Sequence, residues 1–400
     1  MNAQGVGRRT LLKGGLLGGA GALTLAGAVA STGAGAEGTG PTTPGSEDVV
    51  PFHGEHQAGI TTPPPPHAVF VGLDVDDGVG PTELGRLMRV WTDDISRLTA
   101  GVAPVTDQEP EVAARPAGLT VTVGWGPSLF DRLGLAGRPS WLTPLPPLPG
   151  DRLDGRHGGT DLLLQVCSHS PVTLAHARRH LVGAARGIAA PRWLQPGYRD
   201  PAEQAGRTFR NEFGQVDGTV QPDVADRDAG LLWIGPDGAT HPGWVGGSSL
   251  VLRRIRMDVE DWERADRVAR EHAVGRDLST GAPLTGGQES TPVDLHALLP
   301  SGLPVVDRHA HVRRASPRAP HERFLRRPYS YEQVGTGGGV ETGLLLAAYQ
   351  ADPVRQFLPV QRRLAEGDLL NLWTVPVGSA VYAVLPGCAE GDWLGRRLLA

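Results

Sequence analysis

The sequence predicts an α+β fold made from a duplicated unit, with two antiparallel β-sheets and helices flanking them. Three observations carry this prediction. The order strand, helix, strand, strand, helix, strand can be read twice along the chain. In each copy an apolar run leads into a helix that opens at a proline: Leu162-Leu163-Leu164-Gln165-Val166 before Ser170-Pro171, and Leu344-Leu345-Leu346-Ala347-Ala348 before Asp352-Pro353. Each of those helices carries an arginine pair, Arg178-Arg179 and Arg362-Arg363.

In the first copy, residues 67–75 read as a strand. Residues 81–98 place Leu84, Leu87, Met88, Trp91 and Ile95 on one side at helical period. Residues 119–125 and 161–167 are strands, 171–186 a helix, and 189–194 a weakly marked closing strand. The second copy runs as strand 249–259, helix 262–274, strands near 324–331 and at 343–349, helix 353–366 and strand 380–385. This order is the split strand-helix-strand motif of a ferredoxin-like unit. It predicts an N-terminal ferredoxin-like domain over 51–208 and a C-terminal one over 209–400.

Ahead of both copies, Gly7-Arg8-Arg9-Thr10-Leu11-Leu12-Lys13 puts a twin arginine before a Gly, Ala and Leu run ending at Ala28-Val29-Ala30. Residues 1–30 are therefore expected to be a twin-arginine signal peptide, removed after its small residues. A membrane anchor fits less well, because the run from Gly14 to Ala30 is short and rich in glycine. That export route carries folded proteins, which suits a cofactor loaded before export. It implies the twin-arginine translocase as a partner, an extracellular or periplasmic location, and no stable membrane span in the mature form. Residues 31–50 offer almost nothing to bury and predict a disordered linker.

The remaining length, about 350 residues, is enough for a large core. A net charge of -5 and a pI near 6.2, without basic runs beside aromatics, argue against a nucleic-acid partner. Cys167 and Cys388 are the only cysteines, so no thiolate metal cluster forms, and the apolar setting of Cys167 predicts a buried thiol.

Chemistry concentrates in three segments. Phe209-Arg210-Asn211-Glu212-Phe213-Gly214-Gln215-Val216-Asp217-Gly218 sets one carboxylate between glycines, a spacing that fits a plain turn or the close approach of backbone to a flat ligand. Asp307-Arg308-His309-Ala310-His311-Val312-Arg313 and Phe324-Leu325-Arg326-Arg327-Pro328-Tyr329-Ser330-Tyr331 follow. Acid, histidine and arginine together suit a peroxide-activating haem site. Taken jointly, the segments resemble the dye-decolorizing peroxidase family, in its twin-arginine-exported branch related to the deferrochelatase/peroxidase group. The resemblance extends to the blocks at 54–60, 150–154, 281–284 and 378–382, and so to nearly the whole mature chain.

The resemblance implies duplicated ferredoxin-like architecture with haem b in the C-terminal half. It also implies hydrogen peroxide as oxidant, bulky organic electron donors such as dyes and phenolics oxidised through a ferryl intermediate, and a homodimer. It makes His311, the His of the family's His-x-Arg pattern, the proximal ligand of the haem iron. His309 is the local rival, and on a strand it would share a face with His311. The other ring nitrogen of such a ligand donates to an acceptor, for which Asp368 and Asn371 are both candidates. Asp217 takes the role of distal acid and base. A carboxylate stays ionised at mildly acidic pH where an imidazole base would be protonated, so activity is expected to favour acidic pH. Arg326 takes the role of distal cation. On a strand only one of Arg326 and Arg327 can face the haem, and the family's Leu-Arg-Arg pattern favours Arg326. Pro328 departs from the family, which often has Gly there. Arg313 and Arg327 are candidates for the haem propionates, and Gly218 for close backbone approach to the cofactor. Trp373, Tyr329, Tyr331, Tyr349 and Tyr382 are candidate electron exits, with none singled out.

Two other readings use the same residues. Deferrochelatase-like removal of iron from haem would share every ligand. A metal-dependent hydrolase built on Asp307-x-His309-x-His311 is more remote, because too little chain follows His311 for the rest of a barrel of about 250 residues.

Overall fold

The structure is a computed structural model that describes residues 49–200, 208–223, 229–335 and 338–399. The expected signal peptide, and the expected linker up to residue 48, lie outside the described residues. Among the described residues eight strands form: β1 His67–Val75, β2 Thr120–Trp125, β3 Leu162–Ser168, β4 Ala189–Tyr198, β5 Ser248–Met257, β6 Leu325–Val334, β7 Val340–Gln350 and β8 Thr374–Val384.

They close into one barrel in the order β1-β3-β2-β8-β5-β7-β6-β4. The expectation of two ferredoxin-like antiparallel sheets is therefore corrected to a single closed eight-stranded sheet. The strand order of the first copy, β4-β1-β3-β2, recurs as β8-β5-β7-β6 in the second. What joins them is the edges. β2 meets β8 through Gly124↔Val384 and Trp125↔Ala383, and β4 meets β6 through Tyr198↔Ser330. Unpaired strand edges carry open N–H and C=O groups, and closure pairs some of them at each seam. Hydrophobic periodicity reports the two faces of a strand and carries no information about its two edges, which is why the sequence pattern missed this step.

Alternation along the strands sorts side chains to two cores. Phe70, Leu163, Leu250, Leu252, Tyr329, Tyr331, Leu345, Tyr349 and Tyr382 form one cluster, the interior of the closed sheet. Val69, Val71, Leu73, Leu164 and Val166 face outward, against Leu84, Leu87, Trp91 and Ile95 of the helix Pro81–Thr99 and Leu181 of the helix Pro171–Ala184. The helix expected over 262–274 is two, Val259–Arg264 and Arg267–Val274. Asp266 ends the run by capping the second through a bond from the Ala269 amide. Among the described residues no helix is long and apolar enough to cross a membrane.

The narrow seam between β2 and β8 is stitched by Gln57, which is almost fully buried. Its Nε2 donates to the carbonyls of Val123 (2.9 Å) and Leu385 (2.8 Å), and its Oε1 accepts from the Val123 amide (2.9 Å). Beyond it, Gly59 O accepts from Gln165, Ile60 joins the interior cluster, and Thr62 O accepts from Arg327. The loop before β3 docks on β8 through Arg152 N to Pro376 O and Asp154 N to Val377 O. The buried Arg253–Asp151 ion pair fixes the same loop to β5. The two outer helices are pinned by Trp91 Nε1 to Leu181 O and by His180 Nε2 to Asp94 Oδ2, both 2.9 Å. The Asp94 hydrogen bond raises the His180 pKa against the opposing effect of burial.

Two stability measurements follow from these contacts. Gln57→Leu leaves backbone groups of Val123 and Leu385 unpaired and is expected to lower unfolding free energy by about 2–4 kcal/mol in denaturant titration. His180 has a folded pKa above its unfolded value, near ~6.5, so its contribution is complete below that pH and is lost as pH rises through the folded value. The denaturant midpoint of the wild type should exceed that of His180→Gln most at about pH 5.5 and converge on it at alkaline pH; a gap independent of pH would refute the assignment.

Candidate functional site

The segment that carries Asp217 is a small hairpin-like turn closed on itself. Arg210 and Val216 form an antiparallel bridge, Asn211 N donates to Gln215 O, Gly214 N to Asn211 O, and Asp217 N to Phe209 O. Gly214 and Gly218 sit at φ +69° and +109°, in the left-handed region that a side chain disfavours. The turn is held to the protein by buried Phe209, which lies under the Arg199 guanidinium at 4.4 Å, and by Phe213 stacked on Trp262 at 4.5 Å. Arg210 ties it down further by donating to the carbonyls of Leu278 and Ser279.

Asp217 is thereby presented to Arg326, with Oδ1 3.4 Å from Nη1, while Asn211 Nδ2 lies 3.4 Å from Oδ2. Arg326 also donates from Nη2 to Val220 O at 2.9 Å. Gln221, not anticipated from sequence, bonds both backbone groups of Arg326: its Oε1 accepts from the amide (3.0 Å) and its Nε2 donates to the carbonyl (2.8 Å).

His311 opens the short helix His311–Ala315, so the condition under which His309 would share its face, a strand, is not met. Its Nδ1 lies 2.5 Å from Oδ2 of buried Asp368, whose Oδ1 accepts from the Leu370 amide at 3.0 Å. Of the two expected acceptors the structure thus brings Asp368 to His311, while Asn371 caps the preceding helix by donating to Leu364 O. Burial disfavours charge on His311, but the Asp368 carboxylate, reinforced by Asp217 and opposed by Arg326, moves its pKa above the ordinary value. With Nδ1 committed to Asp368, Nε2 is the nitrogen left to ligate a metal.

The other expected residues make different contacts. Arg327 points to the opposite face of β6, into the barrel interior, where Nη1 donates to Thr62 O. Arg313 donates to the carbonyls of Val306, Asp307 and Leu295, which hold its own loop. His309 Nδ1 lies 2.9 Å from Gly367 O and 3.0 Å from Arg314 Nη2. Among the described residues no three His, Cys, Asp or Glu side chains converge as a metal-holding group, so these residues offer no third ligand to the paired histidines.

Arg326, Pro328 and Ser330 share the outer face of β6, and Leu346 and Leu344 oppose Pro328 and Ser330 on β7. Ile255 of β5 continues the row, and these three aliphatic side chains are only half-buried. Ser330 Oγ is buried without a hydrogen-bond partner among the described residues. An anchored imidazole, an acid and a fixed guanidinium beside an apolar sheet face can ligate a metal, move a proton and stabilise developing negative charge.

Comparison with known proteins matches residues 57–199 to the family described as Dyp-type peroxidase, N-terminal, and residues 208–389 to Dyp-type peroxidase, C-terminal. The chain is similar to the crystal structure of a DyP-type peroxidase from Cellulomonas bogoriensis, with 49% identity and a TM-score of 0.84 over 88% of this chain and 98% of that one. It is also similar to ferric DtpA from Streptomyces lividans, with 40% identity and a TM-score of 0.84 over 90% of this chain and 99% of that one. A dye-decolorizing peroxidase from Thermobifida fusca is 38% identical over 86% of this chain and 83% of its own length. A deferrochelatase from Yersinia pestis is 34% identical over 98% and 94%.

Gly218→Ala should destabilise the fold by about 1–2 kcal/mol, because alanine is strained at this positive φ. Denaturant titration checks it, and an unchanged midpoint would show that the turn relaxes freely.

Proposed function

The chain belongs to the Dyp-type peroxidase family and is an oxidoreductase of the peroxidase class, and from that premise we propose that it holds haem b through His311 and uses hydrogen peroxide to oxidise bulky organic donors such as dyes and phenolics. The observation that carries the proposal is the His311–Asp368 hydrogen bond within electrostatic reach of the Asp217–Arg326 pair. The residues fit the cofactor. His311 offers Nε2, the half-buried row Leu344, Leu346 and Ile255 offers an apolar wall, and Ser330 Oγ is a buried polar atom without a partner among the described residues. When bound, the haem supplies the iron at which peroxide is reduced.

Asp368 fixes the His311 ring and increases its basicity toward the metal. Asp217 accepts a proton from the incoming peroxide and returns it to the oxygen that departs as water. Asn211 steadies the second oxygen of that carboxylate. Arg326 lies where it can offset negative charge on the departing oxygen, and its bond to Val220 O limits the reorientation this requires. The same reading has the chain exported by the twin-arginine pathway with residues 1–30 removed. A second reading, deferrochelatase-like removal of iron from haem, is favoured by the relatives of that name, one of which aligns with 98% of this chain.

Spectra of haem-reconstituted protein test the proposal. The wild type should show a Soret band that shifts on one equivalent of hydrogen peroxide, and His311→Ala should fail to retain it. Asp217→Asn and Arg326→Leu should keep the haem but react about 10²–10⁴-fold more slowly. Wild-type rates in both would remove their assigned roles, and iron-free porphyrin accumulating without peroxide would favour the second reading.

A further inference from the structure

At Arg326 the two sides of β6 differ. One side pairs with β7, where Arg326 opposes Ala348, whereas β4 reaches β6 only at Ser330. The Arg326 N–H and C=O would therefore lie on an open strand edge. The side-chain amide of Gln221 takes both, at 3.0 and 2.8 Å, in the manner of a neighbouring strand. The loop from Asp217 to Gln221 thus meets one arginine at four of its atoms: Nη1 through Asp217, Nη2 through Val220 O, and the backbone N and O through Gln221.

These contacts are unequal. The Asp217–Arg326 pair is 3.4 Å long and part exposed, with 27% of the arginine side chain accessible, so by itself it contributes little. The bonds made by Gln221 are shorter, and they act on backbone that cannot swing away. We propose that Gln221 is the positioning residue that sets the separation of Asp217 and Arg326, which rests on the reading of those two side chains as the peroxide-cleaving pair. A proton shuttle and a charge acceptor must meet two oxygens of one small molecule, and a misplacement near 1 Å costs up to about 10²-fold in rate.

The test uses haem-loaded full-length protein and hydrogen peroxide, followed by stopped-flow at the Soret band. Gln221→Leu should bind haem with an unchanged Soret band and react about 10- to 100-fold more slowly. Gln221→Glu keeps the acceptor for the Arg326 amide but can donate to the Arg326 carbonyl only when protonated. The charged groups around its loop, Asp217, Arg326 and the Glu289 that accepts from Thr219, with Arg276 and His311 beyond, are the same in both proteins. The ratio of the Gln221→Glu rate to the wild-type rate should therefore climb as pH falls toward the ordinary glutamate value, near ~4.3. In an Asp217→Asn background, Gln221→Leu should cost far less than it does alone. A haem-loaded Gln221→Leu that reacts at the wild-type rate overturns the assignment, as does a pH-independent Gln221→Glu ratio or a fully additive loss. If Gln221→Leu fails to take haem, the Gln221→Glu ratio decides. A wild type without a Soret band would instead sink the haem reading itself, a distinguishable result.

Discussion

The register of β6 is the constraint on which the site depends. Two arginines stand side by side there, and the pleat sends Arg326 outward to Asp217 and Arg327 inward to Thr62. A slip of one residue would exchange them, putting Arg327 beside the carboxylate and burying Arg326 in the barrel. Register is held by the long pairing with β7, by the single contact with β4, and by the interior positions of Tyr329 and Tyr331, which do not tolerate exposure. Closing the sheet is thus part of building the site, since it leaves β6 one arrangement.

The charges divide by environment. Arg253 and Asp151 are both nearly inaccessible, and removing either would strand its partner at a cost of about 3–5 kcal/mol. Their loop also bonds to β8, so the pair secures a crossover from the first strand set to the second. Asp217 and Arg326 are more open, and their placement relies on hydrogen bonds with Asn211, Val220 and Gln221. His311 and Asp368 lie between these extremes, with a buried acid serving a partly accessible imidazole. The groups proposed to react are the less firmly paired ones, as expected where charge must change during turnover.

Much of this was legible in the chain. β1 spans the residues its pattern predicted, and the alternation that sends Arg326 and Arg327 to opposite faces of β6 was readable from their adjacency. Three features were not legible, each for a physical reason. Edge pairing leaves no mark on side-chain periodicity, so two sheets were expected where one closes. The choice of Asp368 over Asn371 turns on the cap of a four-residue 3-10 helix that faces a histidine 57 positions away. Gln221 reads as an ordinary loop residue, because its role lies in satisfying the backbone of a distant strand. The capping aspartate Asp266, by contrast, stood in plain sight within a run whose periodicity suggested one continuous helix.

The Gln57 side chain reaches across 328 positions to bond Leu385. That single contact bears on the order of events during synthesis. Until β8 has left the ribosome, β2 has no second neighbour, Gln57 lacks one of its acceptors, and the interior side chains of the early strands face water. Contacts of such sequence separation form slowly, because a long loop must close before they contribute. The strands made first therefore keep open edges until β8 arrives, and barrel closure cannot precede it.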